Sequence, residues 1–335
     1  MKIVESYTGF QPLEEAWIGG TYPEKFYEHL PDEIEDTFCL LTEQTSKSFS
    51  QLKKTLKQFG VQVREPTFSS DPTLYMDQYE NLIKPPVSPR DWVIALGQRL
   101  LINPQGYQQE PYNDAIEEYL RNGESVEILD RGKDARSWLQ FPAMVRAGHR
   151  LIVDTVSSDD ELTTGKIKEA CAMLSDQYEI IETQEGAHLD GVFCPIKEGY
   201  IFSSHWGSLD LYKNTFPGWQ VFWKKQKSNG HNGKWWIADN NFHSPIFNRY
   251  VEQHARDWTG NAQETVFEVN MLVLDEKNVI CMGHDQESFE HMHKIGITPH
   301  VVDFPTRGFW DGGIHCITVD IRRKGGCEDY FDVKA

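Results

Sequence analysis

Near the C-terminal end of the sequence, two glycines are followed within three residues by a cysteine: Phe309-Trp310-Asp311-Gly312-Gly313-Ile314-His315-Cys316. The cysteine opens an alternating run in which Ile317, Val319 and Ile321 face one side and Thr318, Asp320 and Arg322 the other, the period of a strand. Paired glycines allow backbone approaches that a Cβ forbids. Cys316 thus stands where a loop enters a strand, open to a ligand at its sulfur. The alternative is a small buried hydrophobe, a common fate of free cysteine.

Gly186-Ala187-His188-Leu189-Asp190-Gly191 is the second reactive stretch. Read as extended chain, it projects His188 and Asp190 to one side and turns Leu189 into the body. An imidazole beside a carboxylate can carry protons next to an anionic anchor, or can simply be a satisfied strand end. Asp91 follows Pro89-Arg90 and precedes the apolar run Trp92–Leu96, so its carboxylate lies at a strand mouth, as an anchor or as a turn-capping acid. Cysteine with histidine is a nucleophile and a proton carrier. His284, His291 and His293 read as solvated helix residues, and no metal is expected. No CxxC, HExxH, GxGxxG or P-loop pattern occurs, so no cofactor is expected either.

The elements that must position these groups follow a strand-helix-strand rhythm recurring every ~60 residues. Residues 12–20 read as a short strand entering a glycine turn, about 49–59 as a helix closed by Gly60, and 61–64 as a strand. The apolar runs 92–96 and 151–153 are strands, with helices over 112–120 and 167–174 and further strands at 126–129 and 178–181. The stretch 270–281 reads as strand-turn-strand, which a purely parallel wound sheet does not accommodate; a helix over 286–294 follows. Residues 206–262 break the rhythm: six of the ten tryptophans lie between Trp206 and Trp258, around a polar turn at 226–233. This insertion reads as a flap over the site or as a satellite core.

The 335 residues carry a net charge of -18, against a nucleic-acid or anionic-membrane partner and compatible with a cationic substrate. The six cysteines show no paired framework, and no stretch approaches the ~20 apolar residues of a membrane helix. With no signal-peptide pattern at its start, the chain is expected in the reducing cytoplasm.

The segments 311–323 and 270–277, with His188-Leu189-Asp190, Pro89-Arg90-Asp91, Arg146-Ala147-Gly148 and Pro12-Leu13-Glu14-Glu15 in the same order, resemble the arginine:glycine amidinotransferase family. That resemblance implies a single pentein domain over residues 1–335, an α/β-propeller of five ββαβ units around a central active site. It implies Cys316 as nucleophile, His188 as acid/base, Asp190 and Asp91 holding a guanidinium, and Gly313 beside the substrate. The partners implied are a guanidino donor and an amine acceptor, with a homodimer as one assembly open to the chain. The chain departs from the family in three places. Ala143 stands where a carboxylate serves the histidine, with Asp130, Asp134 and Asp154 as replacements to test. No arginine follows the 188–190 segment near Ser203-Ser204-His205-Trp206-Gly207. Gln263 and Glu264 stand near the place of paired serines. The substrate grip is therefore expected to differ. A hydrolase of the same substrates and a non-catalytic guanidino-binding protein are the alternatives.

Overall fold

A computed structural model describes residues 2–104, 109–155, 161–185, 188–204, 207–224, 244–259, 269–283, 285–310 and 312–331. Its strands are short because the apolar runs are short, and they assemble three at a time. β3 (Val93–Leu96) pairs antiparallel with β4 (Arg99–Ile102), and β4 pairs parallel with β5 (Ser125–Ile128). A parallel partner requires a crossover, supplied here by α2 (Asn113–Arg121), which buries Ala115, Ile116 and Tyr119.

The same unit recurs. β6 (Met144–Ala147), β7 (Arg150–Asp154), α3 (Glu161–Leu174) and β8 (Glu179–Thr183) form one. α4 (Leu189–Val192) then leads into β9 (Phe193–Lys197), β10 (Tyr200–Ser203), α5 (Leu209–Thr215) and β11 (Gln220–Trp223). After α6 (Pro245–His254) come β12 (Leu272–Asp275), β13 (Asn278–Cys281), α7 (Gln286–Lys294) and β14 (Thr298–Val301). The remaining sheet joins both ends of the chain. β15 (Thr318–Arg323) pairs antiparallel with β1 (Leu13–Ile18), and β1 pairs parallel with β2 (Gln62–Arg64) across α1 (Asp32–Gln58).

The strand-turn-strand expected at 270–281 is present, as are the helices expected around residues 112–120, 167–174 and 286–294. The helix expected at 49–59 is the last third of α1. Its earlier buried face includes Thr42, Thr45 and Ser48, which break the apolar spacing. The helix satisfies two of them locally, with Thr45 Oγ1 donating to Leu41 O at 2.7 Å and Ser48 Oγ to Gln44 O at 3.2 Å. Residues 209–223, expected within an insertion, supply the helix and outer strand of the fourth sheet. Trp219 stacks on Phe331, and Trp258 lies against Tyr22, Phe38 and Trp310. The polar turn at 226–233 and Trp206, Trp235 and Trp236 lie outside the described residues.

Apolar clusters bridge neighbouring units. One joins Trp17 of β1, Trp92, β3, β4, the inner face of α2, and Val319 and Ile321 of β15. A charged hub also ties the units together. Asp320 of β15, fully buried, accepts from Arg90 Nη2 at 2.7 Å, Arg146 Nη2 at 2.6 Å and Arg323 Nε at 2.6 Å. Arg90 precedes β3 and Arg146 lies in β6, while Arg323 also donates to Val273 O in β12. Burial alone would raise the Asp320 carboxyl, but Arg146, Arg90 and Arg323 hold it well below the usual carboxylate range. Removing one member of such a buried pair costs about 3–5 kcal/mol, because the partner charge is left uncompensated.

Candidate active site

Strand β15 and the loop before it place Cys316. The loop is held by Asn270, fully buried two residues before β12. Asn270 Oδ1 accepts from His315 N at 2.9 Å and from Cys316 N at 3.2 Å, and Nδ2 donates to Cys316 Sγ at 3.1 Å. One amide therefore pins the backbone at and just before Cys316 and offers the sulfur a donor. A donor at the sulfur stabilises a thiolate more than a thiol. Gly313, expected beside the substrate, packs against Asn270 instead, since a Cβ there would collide with the amide oxygen.

Asp190 reaches the same sulfur from another unit. Its Oδ2 lies 3.7 Å from Cys316 Sγ. The expected extended geometry at 188–190 is replaced by one helical turn: His188 is the N-cap of α4, and Asp190 lies inside it. Leu189 is turned into the body as expected, fully buried. The turn sends the two side chains to different partners. Asp190 Oδ2 accepts from His315 Nδ1 at 2.8 Å, whereas His188 Nε2 meets Gln140 Oε1 at 3.2 Å.

His315 is the residue that sequence reasoning missed; its adjacency to Cys316 was the available signal. Burial, aided by the charge of Arg90, pushes its imidazole below the ordinary histidine value despite Asp190. A neutral ring donating through Nδ1 fits that environment. Burial alone would raise the Asp190 carboxyl, but the His315 hydrogen bond and the nearby cationic groups, Arg90 among them, hold it below the ordinary aspartate value. Asp190 Oδ1 is buried with no hydrogen-bond partner among the described residues. It is an ionised acceptor without a donor, at the nucleophile.

Asp91 ends a 3-10 turn, Pro89–Asp91, directly before β3, at a strand mouth as expected. The turn is tied to the cysteine loop, with Arg90 N donating to Cys316 O at 3.2 Å and Arg90 Nε to Thr318 O at 3.1 Å. Ala143, 2 % exposed, closes a 3-10 turn before β6, and Gln140 at the head of that turn is what meets His188. The three acids proposed as replacements are engaged elsewhere: Asp130 with Lys133, Asp134 with Arg136, and Asp154 with Glu185 N. Near the expected arginine position, Tyr212 OH donates to Ser203 Oγ, and Gly207 packs where a Cβ would collide with Tyr212. Gln263, Glu264 and His284 lie outside the described residues. His291 stacks on Phe222, and among the described residues no group of three or more His, Cys, Asp or Glu side chains could hold a metal. No helix among them is long and apolar enough to cross a membrane.

Among solved structures, an amidinotransferase of the saxitoxin pathway from Microseira wollei, SxtG, superposes with a TM-score of 0.71 and 20% identity. The match covers 98% of this chain and 99% of that one. The inosamine-phosphate amidinotransferase StrB1 from Streptomyces griseus gives 0.70 and 17%, covering 99% and 100%. The fold is the pentein propeller. More distant pentein structures include a dimethylarginine dimethylaminohydrolase, at a TM-score of 0.55 and 12% identity over 92% of this chain and 99% of that one. By sequence, the L-arginine:L-lysine amidinotransferase of Pseudomonas savastanoi pv. phaseolicola is 39% identical over 63 residues. That match takes in 19% of this chain and 17% of the curated relative. No family model matches the chain.

Proposed function

We infer that this pentein is an amidinotransferase that moves an amidino group from arginine or a similar guanidino donor to an amine acceptor through an amidino-cysteine. The observation that carries the reading is Cys316 Sγ beside Asp190, with Asp190 Oδ1 left without a donor. A guanidinium is a planar cation with five donors, and a buried carboxylate is its natural acceptor. Asp91, in the turn whose Arg90 bonds to the cysteine loop, is proposed as a second anion for it.

With the donor's guanidinium on Asp190 and Asp91, the Cys316 thiolate attacks the central carbon and forms the S–C bond. The bond between the central carbon and the nitrogen that carries the donor's chain breaks as His188 protonates that nitrogen, which departs as the amine. The amidino group stays on sulfur, its charge still facing Asp190. The acceptor amine then gives a proton to His188 and attacks the same carbon, and the S–C bond breaks to return the thiolate. His188 thus gives one proton and takes one back. Asn270 Nδ2 steadies the sulfur whenever it carries charge. His315 holds Asp190 in place through Oδ2, which leaves Oδ1 for the substrate.

Water in place of the acceptor would release urea, and the likeness to a dimethylarginine dimethylaminohydrolase keeps this hydrolytic reading as the second one. The six unpaired thiols support a reducing, cytoplasmic setting. Intact-protein mass spectrometry tests the central step. Mixing with arginine should add one amidino group, Cys316→Ala should abolish the adduct, and an added amine should discharge it without urea. An unmodified wild-type protein across a panel of guanidino compounds would overturn the reading, and urea release without an acceptor would select the hydrolase.

A further inference from the structure

The charged hub holds more cations than anions. Arg90, Arg146 and Arg323 converge on Asp320, and all four side chains are buried. Asp190 is the other buried acid on which Arg90 acts. Three guanidinium groups thus meet two carboxylates, and both carboxyls are held below the ordinary aspartate value. Within this group one buried positive charge is left over. A buried charge without a partner is costly, and a guanidinium cannot shed its proton to escape the cost.

The surplus lies against the cysteine loop. Arg90 N donates to Cys316 O at 3.2 Å. Arg90 Nε donates to His315 O at 3.4 Å and to Thr318 O at 3.1 Å, so its side chain bridges carbonyls on both sides of Cys316. His315 O is a few covalent bonds from Cys316 Sγ, which places the guanidinium within ~10 Å of the sulfur. One cavity is lined by Arg90, Arg146, Asp190 and His315, so two of the hub's cations border the same space as the site's carboxylate and imidazole. The charge of Arg90 already acts on both of those neighbours. It adds to burial in pushing the His315 imidazole down, and against burial it joins His315 and His188 in holding the Asp190 carboxyl down.

We propose that Arg90, backed by Arg146 and Arg323, is the counter-charge of the Cys316 thiolate. This counter-charge rests on the amidino-transfer reading for Cys316 as the nucleophile. Arg90 then acts as a positioning residue, holding the loop by its hydrogen bonds and the sulfur by its field, while the thiol proton leaves to water. The other groups around the sulfur divide. Asn270 Nδ2 donates to Sγ and favours the thiolate, whereas Asp190 Oδ2, 3.7 Å away, opposes it until a guanidinium neutralises the acid. Asp91, beside Arg90, is partly exposed, His188 caps α4, and Asp311 of the same loop lies outside the described residues. Buried charges are screened least, so the hub weighs most among the cations.

Alkylation of Cys316 by uncharged iodoacetamide, followed against pH by peptide mass spectrometry, reads the thiolate without turnover. In the wild-type protein the midpoint should fall below the ~8.5 of a free thiol. Arg90→Met should raise it by about one pH unit, the effect of one charge at ~10 Å inside a protein, and Arg90→Lys should restore most of the difference. Arg146→Met should move it the same way by less. Asp320→Asn removes an anion and should move it down. Lost packing alone would send all of these variants in one direction, so opposite signs separate charge from structure. Transfer by Arg90→Met should be about tenfold low at pH 7 and recover toward wild type at alkaline pH, as the thiol ionises without help. A wild-type midpoint at or above ~8.5, which needs no variant to fold, or shifts of one sign in the arginine and Asp320 variants, would overturn the counter-charge. A lowered midpoint in a protein that forms no amidino-cysteine would leave it standing and remove the transferase reading.

Discussion

The two halves of the site are held very differently. Around Cys316, Asn270 makes three hydrogen bonds to the cysteine loop, Arg90 makes three more to residues 315–318, and His315 fixes Asp190. Around His188, one 3.2 Å bond to the exposed Gln140 and the one-turn helix α4 are the restraints among the described residues. Cys316, the proposed nucleophile, is thus held before substrate arrives, while His188, the proposed proton carrier, is lightly tethered. The difference matches their tasks. The sulfur must meet one carbon at one angle, whereas the imidazole must face a departing amine and then an incoming one.

Substitutions on the two halves should separate activity from stability. Cys316→Ala should lower transfer by about four orders of magnitude or more, as loss of a covalent nucleophile does, measured as product per enzyme and as loss of the mass adduct. His188→Ala should cost about 10²- to 10⁴-fold in kcat and leave the denaturant midpoint almost unmoved, since a lightly held side chain contributes within about 0.5 kcal/mol. Asn270→Ala should cost on both counts. Leaving His315 N and Cys316 N without an acceptor loses about 1–3 kcal/mol for each group, and the loop that aims the sulfur loosens. If His188→Ala destabilised the protein as much as Asn270→Ala, the contrast would be wrong.

The smallest effects concern Gln140. A neutral amide accepts from the imidazole but does not favour its protonated form as a carboxylate would. Gln140→Glu should therefore move the alkaline limb of the kcat profile to higher pH, and Gln140→Ala should change kcat by only a few-fold. An unchanged profile in Gln140→Glu would mean that the bond is not kept during turnover. Stability should also respond to acid. His291, His300 and His315 are all held below the ordinary histidine value, in each case by burial first. The unfolded chain binds more protons than the folded one below pH ~6.5, so unfolding free energy should decline as pH falls through that region. Below pH ~4 it should decline again, as the depressed carboxyls of Asp190 and Asp320 are forced to protonate.

The apolar strands and the cysteine loop were legible because their signals are local: period-two runs, paired glycines, and a reactive side chain at a strand entrance. Asp190 and Cys316 do meet, as their types suggested. The first part of α1 was not legible, because Thr42, Thr45 and Ser48 occupy inward positions and hydroxyls that bond back along the helix look like surface residues in the sequence. The pairing of Asp190 with His315 was hidden for another reason. One turn of helix at 189–192 rotates the carboxylate away from His188, and no periodicity marks a single turn. Asn270 falls inside the 270–277 segment, and its grip on the cysteine loop spans 46 positions, beyond any local pattern.

The pairing of β15 with β1 has a consequence for biosynthesis. A nascent chain that has left the ribosome through the fourth sheet already carries Asp91, His188 and Asp190, yet its first strand still lacks an inner neighbour. The thiol, the arginine-bound Asp320 and the closing strand emerge together, within a dozen residues. On the proposed reading, ring closure itself completes the site, and an incomplete polypeptide should form no amidino-cysteine.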